Sequence, residues 1–294
     1  LETAAEEIAA RGTDEGELVK RQQFLQHRLH TLTALSDAVG AMRSLSAHHF
    51  RRARQALVSA RQYRDEMNTV ISEIGIHQPL HPDVPAGLLV IASDLGLCGD
   101  YNSRLSHLAV EEVSRNAVQM IYSVGRRSRA ELAKNGLVPV LTFDAPASLV
   151  GLSHVLLGLS QDLMNAYLEQ KIGSLHVVSA RFEGVGHFTP HSIQILPIKA
   201  VEGTRPLGRS PYVDADELTT VAAREYLYIT LYEVLLDALA AEHGMRLMAA
   251  EAALEWLDNT AVSTSRRLIS AKSEAATQEL LDIVAGGRKR LQRD

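Results

Sequence analysis

Proline is missing from the first 78 residues and from the last 83 of the 294, and between Val213 and Ala285 the only glycine is Gly244. Long stretches without these breakers exclude a turn-rich fold at either end and favour continuous helix. Cysteine occurs once, at Cys98, which excludes an internal disulfide and suits a reducing compartment. Aromatic residues make up only 5 % of the chain, while Ala, Leu and Arg abound, a composition suited to helices packed at close range. No apolar run approaches the ~20 residues of a membrane-spanning helix. The acidic start LETAAEEIAARGTDEGE lacks the apolar core of a signal peptide.

What is present divides into two helical arms and a middle. Ala250, Leu254, Leu257, Ala261, Thr264, Leu268, Ala271 and Ala275 step by four and three, a narrow seam such as a coiled coil uses. A helix from about Leu218 to Val284 would be on the order of 100 Å long at ~1.5 Å per residue, so much of it must find a partner. The first arm, from about Leu18 to Ile74, carries Leu18, Leu25, Leu32, Val39, Ser46, Ala53, Ala60, Met67 and Ile74 at intervals of seven. A second line at Leu35, Met42, Ala56, Tyr63 and Val70 is expected to supply the other seam position. The small residues at 46, 53 and 60 predict a close helix approach. Two seamed arms flanking one domain most simply pair with each other, antiparallel.

All nine prolines and twelve of the nineteen glycines fall between Pro79 and Pro211, so this middle is a turn-rich folded unit. Strands are predicted at Gly87–Ser93, Gln119–Val124, Leu137–Phe143, Leu175–Phe182 and His191–Ile198. Helices are predicted at about Asn102–Arg115, Arg126–Lys134 and Leu152–Lys171, and the last two strands form a hairpin through Glu183–Pro190. Strand–helix alternation implies a mostly parallel, Rossmann-like sheet with an antiparallel edge. The expected organisation is an acidic extension (1–17), an N-terminal coiled-coil helix (18–78), an α/β domain (79–212) and a C-terminal coiled-coil helix with a basic tail (213–294).

The net charge of −5 hides an uneven distribution. Residues 1–17 carry six acids against Arg11, residues 18–64 carry nine Lys or Arg against Asp37, and the last nine residues hold Arg288, Lys289, Arg290 and Arg293 against Asp294. Basic helix surface points to an acidic partner, the plainer account being a solvated face. The basic run Arg43, Arg51, Arg52, Arg54, Arg61 and Arg64 has few interleaved aromatics and no nucleic-acid motif, which argues against nucleic acid. The loop Ser93–Asn102 follows a strand, where an open α/β sheet binds ligands. Its Gly96 and Gly99 make a poor phosphate cradle: no third glycine and no Gly-Lys-Ser/Thr follow, and Asp94 and Asp100 would repel an anion. A tight structural turn is the better reading, and Cys98 is better read as a packed thiol than as a nucleophile. The twelve histidines form no metal set, since no cysteine accompanies His27 and His30, His48 and His49, or His187 and His191.

Three stretches together resemble the gamma subunit of F-type rotary ATP synthases, along nearly the whole chain after residue 17. Ala41-Met42 through Ala47 to Arg51-Arg52-Ala53 is similar to that family's first-helix signature. Ser93-Asp94-Leu95-Gly96-Leu97-Cys98-Gly99 with Asn102 is similar to its Ser-Asp-Arg-Gly-Leu-Cys-Gly loop. In the last helix Glu242-His243, Arg246 and Ala249, then Thr277-Gln278-Glu279-Leu280, Ile283-Val284 and Gly286, match its terminal segments. The resemblance implies two long terminal helices in an antiparallel coiled coil beside an α/β domain. It implies a shaft inside a ring of alpha and beta subunits, resting with epsilon on a c-subunit ring, peripheral to the cytoplasmic face of a bacterial inner membrane without inserting into it. No cofactor, metal or catalytic residue of its own is implied, because ATP chemistry belongs to the ring. Ring contacts are implied for Arg51, Arg52, Arg54, Arg246, Lys272, Ser273, Thr277, Gln278 and Glu279, and a structural loop for Gly96, Cys98 and Gly99.

There are departures from that pattern. Leu95 replaces a basic residue, Asp100 a glycine, His49 a lysine, Ala250 a methionine, Trp256 an asparagine, and Lys272-Ser273 an Arg-Gln pair. They suggest a divergent bacterial member, with a sodium-type operon as one source. The coupling ion, proton or sodium, stays open. Two rivals from other classes are a stand-alone α/β enzyme using the Gly96–Gly99 loop for a nucleotide, and a helical scaffold for other partners.

Overall fold

The computed structural model describes residues 2–74, 81, 83–198 and 215–291. The expected boundaries at 78/79 and 212/213 lie outside them, as does Arg293 of the basic tail. The elements run α1 (Glu2–Ile74), β1 (Ala86–Ile91), α2 (Tyr101–Arg115), β2 (Val118–Val124), α3 (Arg126–Lys134), β3 (Leu141–Phe143), α4 (Leu149–Leu168), β4 (Ser174–Gly184), β5 (His187–Leu196) and α5 (Ala215–Leu291). Helix α1 begins at Glu2, so the acidic start is helical. The chain forms two compact units, Leu1–Met42 with Ala250–Asp294, and Arg43–Ala249.

In the first unit α1 and α5 pair antiparallel. Leu25 and Leu29 pack with Leu268 and Ala271, and Gln22 Nε2 donates to the Ala271 carbonyl at 3.0 Å. All eight α5 seam positions from Ala250 to Ala275 are buried or half-buried. The α1 seam needs a correction. Leu25, Leu32, Ser46, Ala53 and Ala60 are buried as expected, but Leu35, Tyr63 and Val70 are exposed. Met42 and Ala56 of the expected second line are half-buried, and the buried positions are Phe50, Leu57 and Ile71, with Leu29 half-buried, four residues beyond the first line rather than three. Positions three and four ahead flank a seam on opposite sides, and which side is covered depends on where the partner lies.

In the second unit a five-stranded sheet runs in the order β3-β2-β1-β4-β5. Pairs β1–β2, β1–β4 and β2–β3 are parallel and β4–β5 is antiparallel. Strand β1 is buried on both faces, as a central parallel strand must be. Its side chains alternate: Leu88 and Val90 face a core with Tyr101, Leu105 and Ala109 of α2 and Leu132 of α3. Leu89 and Ile91 face a larger core with Leu152, Leu156, Leu159 and Leu163 of α4, Ala53, Leu57 and Ala60 of α1, and Leu231, Leu235 and Leu239 of α5. Two of the three small α1 residues, Ala53 and Ala60, thus lie in this core.

Three expected boundaries shift for local reasons. Strand β3 is only three residues, because Gly136 and Leu137 donate back to Ala133 and Leu132 at the end of α3, and Pro139 has no N–H for a ladder. The hairpin turn shrinks to Val185-Gly186, and Pro190 sits within β5, tolerated because β5 is an edge strand. Helix α4 starts early because the Ser148 hydroxyl accepts the Gly151 N–H at 3.3 Å.

Candidate functional site

The loop after β1 is held from within. The Ser93 N–H donates to Asn102 Oδ1 at 3.0 Å, and Ser93 Oγ donates to the Leu95 carbonyl at 2.8 Å. Asn102 Nδ2 donates to Cys98 Sγ at 3.3 Å. Cys98 is buried, and burial pushes its thiol pKa up, so it is a packed group rather than a nucleophile. Gly99 has φ of 61°, a left-handed conformation that favours glycine.

Two features settle what this loop can bind. Asp94 Oδ1 accepts from the Arg126 N–H at 2.8 Å and the Ala145 N–H at 3.1 Å. A carboxylate of the chain therefore occupies the N-terminus of α3, the place an anion would take. The loop also turns the Leu95 and Gly96 carbonyls toward α5. Arg246 Nε donates to the Gly96 carbonyl at 3.3 Å and Nη2 to the Leu95 carbonyl at 3.4 Å. The guanidinium also donates to Glu242 Oε1 at 2.5 Å, four residues back on α5. Such a loop recognises a cation, and the cation is built in.

Burial pushes the Glu242 carboxyl up while Arg246 holds it down, the net direction being upward. His243 lies beside them with Nδ1 at 3.4 Å from Arg246 Nη1 and its ring centroid 5.1 Å from that of His49. Burial first, then Arg246 and His49, lower its pKa to about 3, so it is neutral near neutral pH. Tyr101, fully buried, donates to the Ala238 carbonyl at 3.3 Å. Loop, α2 and α5 thus form one buried polar joint.

A second joint links α1, α5 and β4. Arg61 Nη2 donates to both carboxylate oxygens of Asp237 at 2.9 and 3.1 Å, and Arg64 Nη1 lies 2.7 Å from Glu233 Oε2. Asp237 Oδ1 also accepts the Phe182 N–H at 3.2 Å. Burial raises the pKa of both acids, and the arginines oppose it. These groups, with Arg181 and His191, line a cavity of about 330 Å³.

Of the residues singled out in the sequence, Arg51, Arg52 and Arg54 are exposed on α1 and make no ion pair among the described residues. On α5, Lys272, Ser273, Thr277 and Glu279 are exposed, Gln278 is half-buried, and the Thr277 hydroxyl donates to the Ser273 carbonyl at 2.8 Å. Arg246 is buried, and its donors are spent on the loop and Glu242. Gly96, Cys98 and Gly99 form the loop that Arg246 grips. Sequence reasoning missed the Arg61–Asp237 and Arg64–Glu233 joint. Its signal was present as two acids four apart in the otherwise uncharged run Tyr226–Ala241. Among the described residues no group of three or more His, Cys, Asp or Glu could hold a metal ion. No described helix is long and apolar enough to cross a membrane.

Comparisons with known proteins agree with this architecture. The ATP synthase gamma chain of Moorella thermoacetica is 26 % identical over 280 residues, covering 89 % of this chain and 96 % of that one. That of Pelotomaculum thermopropionicum is 24 % identical over 283 residues, with the same coverage. A chain of the Euglena gracilis mitochondrial ATP synthase (OSCP/F1/c-ring) shares the fold with a TM-score of 0.64 at 12 % identity, covering 92 % of this chain and 94 % of that one. A chain of the Tetrahymena thermophila mitochondrial ATP synthase central stalk and c-ring does so with a TM-score of 0.56 at 15 % identity, over 74 % and 99 % of the two chains. The family model described as ATP synthase matches residues 21–288, and with helices, sheet and loop all in place the chain belongs to that family.

Proposed function

We propose that the chain is the central rotor shaft, the gamma subunit, of a rotary ATP synthase. Its partners are the alpha and beta subunits of a ring around the shaft, an epsilon subunit and a c-subunit ring, at the cytoplasmic face of a bacterial membrane. Ion flow through the membrane sector turns the shaft, and its uneven surface drives each ring site through binding, reaction and release. The chain performs no ATP chemistry itself. Residues 18–78 and 213–294 supply the shaft, 79–212 the α/β domain and 1–17 an acidic extension.

The observations that carry this reading are the antiparallel pairing of α1 and α5 in the first unit and, in the second, an α/β sheet whose ligand seat is filled by the chain's own Asp94 and Arg246. Two paired helices with continuous backbone hydrogen bonds are stiff, as torque transmission requires. The exposed cations Arg51, Arg52, Arg54 and Lys272 suit electrostatic contacts with acidic ring loops, which break and re-form at each step and weaken with salt. Ser273, Thr277, Gln278 and Glu279 take the remaining ring contacts, and Arg246 acts through the loop it holds. Co-purification from the native membrane tests the reading: alpha and beta subunits come down with the chain, and their absence overturns it. Reconstitution under proton or sodium gradients decides the coupling ion.

A further inference from the structure

The chain passes from one compact unit to the other at only two places, between Met42 and Arg43 within α1 and between Ala249 and Ala250 within α5. On the rotor reading, twist carried along the chain between the units therefore runs through these two helices. Within the second unit it is resisted by whatever stops α1 and α5 from sliding past each other and past the sheet. Most of what holds them there is apolar: Leu57 and Ala60 of α1, Leu231 and Leu235 of α5, and the leucines of α4. Burial of apolar surface is non-directional, whereas a bidentate arginine–carboxylate pair fixes distance and angle together.

One buried side chain ties three elements of this unit together. Asp237 of α5 accepts from Arg61 of α1 through both oxygens, at 2.9 and 3.1 Å, and its Oδ1 also accepts the Phe182 N–H of β4 at 3.2 Å. Strand β4 pairs with β1 only from Ser174 to Val178, so Phe182 lies beyond the reach of β1 and the carboxylate takes its N–H in place of a strand. One turn earlier on α5, Glu233 Oε2 lies 2.7 Å from Arg64 Nη1, and Oε1 lies 3.6 Å from Arg61 Nε. The cavity of about 330 Å³ opens beside these groups, so apolar packing does not fill the junction of α1, α5 and β4. A buried ion pair is often no more stabilising than an apolar pair of the same size. What these pairs add over apolar residues is a fixed geometry.

We propose that Asp237 is a positioning residue for torque: with Arg61 and the Phe182 N–H it keys α1, α5 and β4 into one register, so that under load the helices turn with the sheet instead of slipping. This key rests on the rotor reading and adds to it the place within the second unit where load is borne.

The membrane complex purified with this chain in place, reconstituted into vesicles and re-isolated by flotation, tests this. Vesicles are preloaded with rubidium and given valinomycin, so each positive charge pumped inward expels one rubidium ion, whichever ion is moved. Rubidium expelled per ATP hydrolysed is followed as the pumped ion accumulates and the load rises. Arg61→Gln with Asp237→Asn removes both charges together, and the Asn carbonyl can still accept the Phe182 N–H. Gly125→Ala, which strains the turn before α3 in the same unit, is the comparison. The double variant starts at the parent ratio and falls about threefold or more below it as load builds, the scale of a substitution on a coupling route. Gly125→Ala follows the parent throughout, because lost stability changes the number of intact complexes and not the work of each. A double variant equal to the parent throughout, one already low before load, or a matching fall in Gly125→Ala overturns the key. A parent complex that hydrolyses ATP and expels no rubidium overturns the rotor reading itself, and the key with it.

Discussion

His243 offers a pH test of the buried joint. Its imidazole is 5 % exposed, and its pKa falls to about 3 from an ordinary 6.5. With the folded value depressed, the stabilising contribution is complete above pH ~6.5, where both states are neutral, and is lost as pH falls toward 3, because only the unfolded chain takes up the proton. At pH 5 the unfolded imidazole is almost fully charged and the folded one neutral, a loss of about 2 kcal/mol, from 1.36 kcal/mol per pH unit over some 1.5 units. His243→Gln keeps a neutral polar side chain and abolishes the titration. His49 and His191, also lowered, and Glu233, Asp237 and Glu242, all raised, titrate in both proteins and cancel to first order in the difference. Urea unfolding followed by near-ultraviolet circular dichroism reports the second unit, where Tyr101, Tyr122 and Tyr167 are buried. Between pH 7.5 and 5 the parent protein loses about 2 kcal/mol more than the variant. Equal losses, or a larger loss in the variant, refute a neutral buried His243.

Arg246→Ala strands Glu242 and the Leu95 and Gly96 carbonyls in the interior and destabilises the second unit by about 3–5 kcal/mol in the same urea assay. Adding Glu242→Gln recovers part of this. Gly125→Ala, at φ of 100° with a Cβ 2.5 Å from the Ala92 carbonyl oxygen, lowers stability by about 2 kcal/mol or more, read as the urea midpoint. Arg51→Ala, Arg52→Ala and Arg54→Ala together leave stability within about 1 kcal/mol, since all three are exposed, yet make binding to the isolated alpha–beta ring weaker and less salt-dependent in a titration against ionic strength.

What the sequence revealed followed from periodicity. The α5 seam was legible because a strict four–three spacing over eight positions has one reading. The second line of α1 was not legible, because a heptad names one stripe and the partner's position chooses the stripe beside it. Arg61 and Asp237 are 176 positions apart, and no local rule brings them together. Arg246 entered only as a ring contact implied by the resemblance; its burial depends on how the loop after β1 folds back on α5. The loop itself was read as a turn rather than a phosphate cradle because Asp94 and Asp100 flank it, and Asp94 proves to cap α3.

That cap has a consequence for control. With its own carboxylate at the start of α3 and its own guanidinium on the loop carbonyls, the domain lets an anion in at the β1 crevice only by evicting Asp94, and a cation only by evicting Arg246.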